Sequence, residues 1–598
     1  MQEVIKSKKC REALVVGYNG VAREEKIPSS WDRTNTKMIG KEKRPEINEF
    51  RPIAITSVGY KLYLGFLKDE MEDFIVRNGW VRDSQIGFTK GGRMEYNHFI
   101  LQYLVRKVMD SRRVGHKKLV LVALDFKKAY DSIDRGKLIE TLVKFKINPL
   151  IINLVAKVYS GDTTIIRAEG KKAEIRVTSG IKQGCTASTV FFKLITYLII
   201  GKLEEEGAMV EVGGIRLNSI WFADDSILAA NSIEGARRNI RIVRDISRTF
   251  GLEINERKSM VMVYKGKSEE GEIEGIKVVD KMKYLGMEIG NKKDIFKGQK
   301  QNILKRIDGR AYEINKVIET SCNKLLIGKT WWKCGIVAGE LLGVGVMNFN
   351  KGQIDRLQKI ENRVYRRILG AGNNTSISVM RGEIGASLMR TRIIESRLTL
   401  VRSIIESNNG LVKKVLENIR NDRNDPWNRN LEEYLGEVGL GYGDLEVMEK
   451  KEIKRKVREQ DSRWWKEDLN RLSSVKGYRD WKKKIKEERC YDNTEASVIL
   501  FRARANTLNL NTNNRHRRGG GITTCEICGE GEEDLSHFIL KCRKLERKRD
   551  RELFGEGEEE VVIGKLLFSG ERIQDVKVML GRMWKEREYL LTLARREG

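Results

Sequence analysis

Two aspartates stand side by side between apolar runs in SIWFADDSILAA, residues 219–230, and they restrict this chain more than any other feature. Neighbouring residues on a flat strand face opposite ways, so both carboxylates can serve one site only where the backbone turns between or beside them. The flanks IWFA and SILAA suit the two strands of a hairpin with Asp224 and Asp225 at its tip. Carboxylates pinned there are costly to ionise unless cations compensate them. Taken alone, the stretch also fits an Asp-Asp turn with solvated side chains. A third acid, Asp125 in LVALDFKKAYDSID, ends another apolar run. Three acids at strand ends of one sheet make a hard-oxygen site suited to Mg2+. With phosphates completing the shell, two such ions suit an in-line displacement.

The charge balance points to a polyanionic partner. Lys+Arg number 114 against 84 Asp+Glu, a formal +30, which favours nucleic acid first and an anionic membrane surface second. Hydrophobic residues make up 40% of the 598, enough for real cores. No apolar run reaches the ~18 residues of a spanning helix, and the start, MQEVIKSKKCREALVV, has no secretory pattern. An intracellular location is therefore expected, and the eight cysteines read as thiols or metal ligands, not a disulfide framework.

Periodicity divides the chain. Residues 46–290 alternate β-rich runs with helical patterns, as a mixed α/β domain does. KLVLVALDF (118–126) reads as a buried strand and STVFFKLITYLIIGKLEEE (188–206) as an apolar helix. Ile233, Ala236, Ile240, Val243, Ile246 and Phe250 recur at helical spacing, with Gly251 as the stop. From about 295 to 375 the pattern is helical and basic, and 410–490 is dense in charge, read as exposed helices or partly flexible linker.

In their order these stretches resemble the reverse transcriptase domain of a non-LTR (LINE-type) retrotransposon, over about residues 25–370. FADD, Phe222 to Asp225, resembles the catalytic box, and LDFKKAYDSID the first catalytic box, with Asp125 as metal ligand beside Phe126. The resemblance implies that Tyr130 lies under the sugar and selects deoxynucleotides; by itself Tyr130 also fits a core aromatic. SGIKQGCTASTVFF (179–192) resembles the next box: Gly180 and Gly184 allow close backbone approach, and Gln183 can bond nucleotide or template. Where the family shows a small-Ser-Pro step this chain has Ala187, Ser188 and Thr189, and Lys193 replaces an asparagine common in relatives. In GLEINERKSMVMVY, Asn255 fits a turn, and Lys258 stands where the family places a cation near the leaving pyrophosphate, or is a plain surface lysine. MKYLGMEIG resembles the primer grip, with Tyr284, Leu285 and Gly286 at its centre. In the fingers-like stretches, Arg51 and Lys61 are candidate triphosphate or template contacts and Lys41 a further one. Gln85, Gly87 and Phe88 stand in their expected places, and Arg93 is a candidate template contact.

Cys525, Cys528, His537 and Cys542 follow C-x2-C-x8-H-x4-C, four ligands that can close a structural Zn2+ shell. Free thiols with a chance histidine are the alternative. Elements of the resembled type often carry such a knuckle after the polymerase, to hold RNA or target DNA. Arg502, Arg504, Arg515, Arg517 and Arg518 just before it are candidate phosphate contacts or a solvated basic loop.

The expected architecture is an α/β (α+β) right-hand polymerase. Its divisions are 1–25 disordered or partial, 26–290 fingers and palm with an antiparallel palm sheet, and 291–375 helical thumb. Then come 376–494 charged helical linker, 495–548 zinc knuckle and 549–598 helical tail. The expected function is RNA-directed DNA polymerisation with two Mg2+ and a structural Zn2+. The implied partners are an RNA template, a DNA primer or target and dNTPs, with no membrane, working in the nucleus after cytoplasmic assembly with RNA. A non-catalytic or host-adopted nucleic-acid-binding remnant and a group II intron maturase are the alternatives. No room is seen for an endonuclease before the polymerase boxes or in 543–598, so a truncated copy, partial gene or captured polymerase is expected.

Overall fold

The computed structural model describes residues 6–24, 27–40, 50–110, 118–168, 170–266, 270–320, 323–514 and 523–597. Lys41, Cys322, Arg515, Arg517 and Arg518 lie outside the described residues. Two compact units divide the chain: Met1–Gln299 with Ser403–Arg423, and Lys300–Arg402 with Asn424–Gly598.

A four-stranded antiparallel sheet is the heart of the first unit. Its strands run Met260–Tyr264, Leu119–Leu124, Asp225–Ala230, Ser219–Phe222 in spatial order. The central strand LVLVAL lacks alternation because both of its faces are covered: Leu119, Val120, Leu121 and Val122 are wholly buried. Val120, Val122 and Leu124 share one core with helices Ser188–Glu206 and Ile233–Thr249. Helix Met94–Asp110 also packs on the sheet and is buried along most of its length. The helix at 188–206 begins without a side-chain cap, and its first two hydroxyls tie it to the loop before it. The Ser188 hydroxyl donates to the Lys182 carbonyl at 3.0 Å and the Thr189 hydroxyl to that of Thr186 at 2.9 Å.

A second sheet orders Phe50–Ile55, Arg33–Gly40, Thr163–Ala168 and Lys171–Arg176. One of its pairings is parallel, Arg33–Gly40 against Thr163–Ala168. The early residues, expected to be poorly ordered, include a helix at Lys8–Glu24. Its Tyr18 donates to the Gly59 carbonyl at 2.9 Å and meets the rings of Trp31 and Tyr63. Within this unit, Ser403 and Asn409 return to the polymerase-like part: Tyr96 donates to the Ser403 carbonyl at 2.7 Å, and Asn409 to that of Asp83 at 2.6 Å.

The second unit is helical. Of residues 410–490, read as exposed helices or partly flexible linker, those in this unit include helices around the wholly buried Trp427 and Trp465. Their charge density comes from the solvent side of each helix, while a core needs an apolar residue only at every third or fourth position. Glu383, fully buried, is held by Arg504 at 2.7 Å and Tyr478 at 2.9 Å. Arg504 is thereby corrected from a phosphate contact to a buried ion-pair partner, also donating to the Leu567 carbonyl. Arg502 likewise turns inward, to the carbonyl of Gly370. Among the described residues, no helix is long and apolar enough to cross a membrane.

Candidate active site

The paired aspartates occupy the tight turn of a hairpin. Phe222 pairs with Asp225, which leaves Ala223 and Asp224 as a two-residue connection. Ala223 has φ +60 and Asp224 does not share the positive sign, the pattern of a type II′ turn, whose first central position normally takes glycine. A non-glycine residue there costs roughly 1–2 kcal/mol. The surroundings hold it: the Gln85 side chain accepts from the Ala223 N–H at 3.2 Å and donates to the Ala223 carbonyl at 3.3 Å.

Asp125 follows the central strand, whose last pairing is Leu124 with Ser226, so the register sets it beside Asp225. Its orientation comes from a turn more than a hundred residues away. Asn255 donates from its side chain to Asp125 Oδ2 at 3.0 Å and from its backbone to the Asp125 carbonyl at 2.7 Å. Ser259 Oγ accepts the Asp125 N–H at 3.1 Å.

The three acids feel one another. Asp225 is accessible at the strand start, yet its carboxyl is crowded. Loss of hydration, then Asp224, then Asp125 push its pKa up to about 6, and Arg51 opposes them. Such mutual repulsion is what a divalent cation relieves, and an all-carboxylate donor set is a hard-oxygen set. Their oxygens do not draw together as tightly as the thiol cluster below, the one group among the described residues whose ligand atoms all lie within 4.8 Å.

Around the acids the other expected residues take separate places. Tyr130 stacks on Phe192, ring centroids 5.1 Å apart, and its hydroxyl is pushed up by burial and then by Asp224. Arg51 is exposed and near enough to act on Asp225. Lys258 is exposed in the turn that carries Asn255. Lys61 is exposed on helix Val58–Arg77. Phe126 is 6% exposed and stacks on Trp221, so its ring belongs to the core, and it bridges Ile254. Arg93 bonds Glu95 and the Ser403 hydroxyl.

Gln183 and Gly184 sit in a loop tied on both sides. The Gln183 amide lies 3.4 Å from each Asp131 oxygen, and its carbonyl accepts from Ala54. Gly184 has φ +99, and a Cβ there would come 3.0 Å from the Ala54 carbonyl oxygen. Arg135 anchors the same loop from beneath, donating to the carbonyls of Gly180, Val177 and Tyr159 and to Asp162. Lys182 completes the pair on buried Asp162 at 3.0 Å. Lys193, the departure from the resembled pattern, has its own counter-charge. Its ammonium bonds Glu72 at 3.2 Å and the Phe88 carbonyl at 3.1 Å.

Tyr284, Leu285 and Gly286 form the tip of a hairpin, Lys281–Tyr284 with Met287–Gly290, both turn residues at positive φ. Tyr284 itself is buried. Asn97 donates to its hydroxyl at 2.8 Å, and His98, neutral because burial pushes its pKa down to about 4, lies 2.9 Å from its carbonyl. Asp225 is close enough to raise the Tyr284 hydroxyl further, after burial.

In the second unit, Cys525, Cys528, His537 and Cys542 are all buried, and their ligand atoms lie mutually within 4.8 Å. Cys542 lies five positions after His537, a spacing that an α-helix would turn to different faces. The segment His537–Lys541 is instead a π-turn, closed by the Cys542 N–H on the His537 carbonyl at 2.8 Å, and this brings both ligands to one side. His537 Nε2 faces Cys528 Sγ at 3.3 Å, and burial lowers the imidazole pKa, favouring the neutral ligand form. The cluster is built into its surroundings: buried Glu533 takes a two-pronged bond from Arg587 of helix Ile573–Glu597.

Sequence reasoning singled out the acids, gave Asn255 only a turn and Gln85 only its expected place with no hold on the acids, and overlooked Arg135, Asp131, Asn97 and His98. The only signal for them was a polar residue inside or beside an otherwise apolar element.

The description "Reverse transcriptase (RNA-dependent DNA polymerase)" matches residues 39–289. This segment is a reverse transcriptase domain. Similar curated proteins include the Retrovirus-related Pol polyprotein from type-1 retrotransposable element R2 of Nasonia vitripennis, 24% identical over 45% of this chain and 27% of that one. Another is the type-2 element R2DM polyprotein of Drosophila melanogaster, 27% identical over 44% of this chain and 25% of that one. Both relatives are polyproteins of retrotransposable elements. The chain spans about a quarter of the length of these relatives. Among solved structures, apo telomerase from Candida tropicalis is a distant likeness at TM-score 0.37 and 13% identity, covering 76% of this chain and 74% of that one.

Proposed function

We propose that the chain is an RNA-directed DNA polymerase of a LINE-type retrotransposon, extending a DNA primer on an RNA template with dNTPs. The observation that carries this reading is the convergence of Asp125, Asp224 and Asp225 at one end of an antiparallel sheet, with Arg51 and Tyr130 beside them. These acids would hold a pair of Mg2+ ions, which when bound activate the primer 3′-hydroxyl and neutralise the triphosphate. Arg51 would meet the triphosphate, Gln183 and Gly184 the incoming nucleotide or template, and Tyr130 the sugar face. Lys258, exposed in the Asn255 turn, would offer a proton or a positive charge to the departing pyrophosphate. The hairpin of Tyr284, Leu285 and Gly286 would steady the primer end. A polymerase acting on chromosomal target DNA would work in the nucleus.

Cys525, Cys528, His537 and Cys542 would bind Zn2+. Three thiolates and an imidazole are a soft, tetrahedral donor set, and four protein ligands leave no open position, so the ion would be structural. We read the flanking polar segment as a nucleic-acid contact.

Primer extension on an RNA template with Mg2+ and dNTPs tests the reading, with product expected from the native chain and none from Asp224→Ala. A native chain that binds RNA yet leaves the primer unextended would instead mark a non-catalytic nucleic-acid-binding remnant.

A further inference from the structure

The turn that carries Asp224 and Asp225 is held by a side chain from a distant segment. Gln85 is 5% exposed and turns both ends of its amide on one residue of the turn, accepting from the Ala223 N–H and donating to the Ala223 carbonyl. The direction of that amide is set independently. Thr196, fully buried, donates its hydroxyl to the Lys193 carbonyl at 3.0 Å, so its oxygen is left to accept from Gln85 Nε2 at 3.1 Å. A flipped amide would face its oxygen toward the Ala223 carbonyl and lose both bonds to the turn.

Backbone contacts press the two segments together as well. Trp221 donates to the Ser84 carbonyl at 2.7 Å, and Ile86 to that of Trp221 at 2.9 Å. Gly87 has no room for a side chain: a Cβ there would come 2.2 Å from the Ala223 nitrogen and 2.7 Å from the Phe222 carbonyl carbon. The glycine is thus required by close approach, and the amide by the unusual φ of Ala223.

From this arrangement we infer that Gln85 is a positioning residue for metal binding. It stabilises the left-handed conformation of Ala223 and thereby sets the directions in which the two following carboxylates leave the backbone. Without it, alanine at this position relaxes toward negative φ, the hairpin tip rotates, and Asp224 and Asp225 no longer converge with Asp125. The inference rests on the polymerase reading for its consequence in catalysis, but its first consequence, cation affinity, needs no nucleic acid.

The test uses the full-length chain and Mn2+ as the probe, with bound and free ion read by electron paramagnetic resonance. Gln85→Met keeps the length and removes both bonds, and the expected loss in Mn2+ affinity is about tenfold or more, in the range of other residues that orient metal ligands. Gln85→Glu keeps the acceptor and loses the donor; an intermediate loss is expected, and this variant stands in if the methionine variant does not fold. Adding Ala223→Gly to Gln85→Met restores most of the affinity, because glycine holds φ +60 without support; a residue that merely fills space would show no such rescue. In primer extension the Mg2+ half-saturation rises in parallel while KM for dNTP changes little. Native-like Mn2+ affinity in a folded Gln85 variant overturns the inference and leaves the polymerase reading intact. A native chain that binds Mn2+ but extends no primer overturns the reading and leaves the clamp to be judged on affinity. A native chain that binds no Mn2+ overturns both.

Discussion

Asn255 holds Asp125 by two bonds at once, its side-chain amide on Oδ2 at 3.0 Å and its backbone N–H on the carbonyl of the same residue at 2.7 Å. Asp125 follows its strand, whose last pairing is Leu124 with Ser226, so this turn is what aims the carboxylate. Asn255→Ala should lower the primer-extension rate about tenfold or more and raise the Mg2+ needed for half-maximal rate, as loss of a ligand-orienting bond does. Asn255→Asp should be worse, since it sets a fourth negative charge against Asp125. Mg2+ titrations of the two variants check the order.

The elevated pKa of Asp225 carries a stability prediction with a definite sign. Its folded value, about 6, lies above the ordinary 3.8, so the metal-free fold prefers the protonated carboxyl. That contribution is complete below about pH 4 and is lost as pH rises through 6. Asp225→Asn should therefore raise the Tm of the metal-free protein at pH 7.5, by roughly 1–3 °C after screening by solvent, while abolishing primer extension. Saturating Mg2+ should narrow the difference by stabilising the native chain alone. Scanning calorimetry with and without the ion, repeated at pH values descending through 4, below which the difference between the two proteins should vanish, measures both effects.

Arg135 makes four bonds under the loop that presents Gln183 and Gly184. A lysine cannot reach all four acceptors, so Arg135→Lys leaves carbonyls unsatisfied and loosens Asp162; a loss of about 2–4 kcal/mol is expected. The same variant should raise KM for dNTP more than it lowers kcat. Denaturant unfolding and steady-state kinetics supply the two numbers.

Lys193 and Glu72 form a pair in which the lysine is 9% exposed. Lys193→Met strands the Phe88 carbonyl and leaves Glu72 with Lys68, 3.3 Å away, as its remaining cation, and about 1–3 kcal/mol of stability should go with it. Restoring an uncharged neighbour by adding Glu72→Gln should recover part of the loss, which a double-mutant cycle reads directly.

Chelation of the Cys525, Cys528, His537, Cys542 site should unfold its immediate surroundings. The native chain is expected to carry one equivalent of Zn2+ by elemental analysis. After chelation or Cys528→Ser, backbone amides of 523–549 should exchange faster. The effect should reach helix Ile573–Glu597 through the Arg587–Glu533 pair. Unchanged exchange would show that no ion supports this fold.

Local patterning carried a good deal of the fold. The helix at 188–206 was legible from its apolar run, and the helix at 233–249 from the spacing of Ile233, Ala236, Ile240 and Val243. The strand around Leu119–Leu124 was legible from unbroken hydrophobicity. The charge of 410–490, which reads as exposed helices or partly flexible linker, masks the sparse apolar positions that build a helical core around Trp427 and Trp465. Arg504 differs from its reading because it stands at the edge of the basic, polar stretch that follows it, while its ion-pair partner Glu383 lies 121 positions away.

By itself the sequence determined the chemistry on offer: three acids at the ends of apolar runs, a Cys3His ligand set, and an ordered series of boxes around them. Those depend on residue type and spacing, which a linear string records. Only the tertiary structure decided which side chains hold the acids in place. Gln85 reaches Ala223 across 138 positions, and Asn255 reaches Asp125 across 130. Hydrogen bonds of that kind are satisfied by whatever group the packed fold brings within about 3 Å, and nothing in the neighbourhood of either residue along the chain announces its partner.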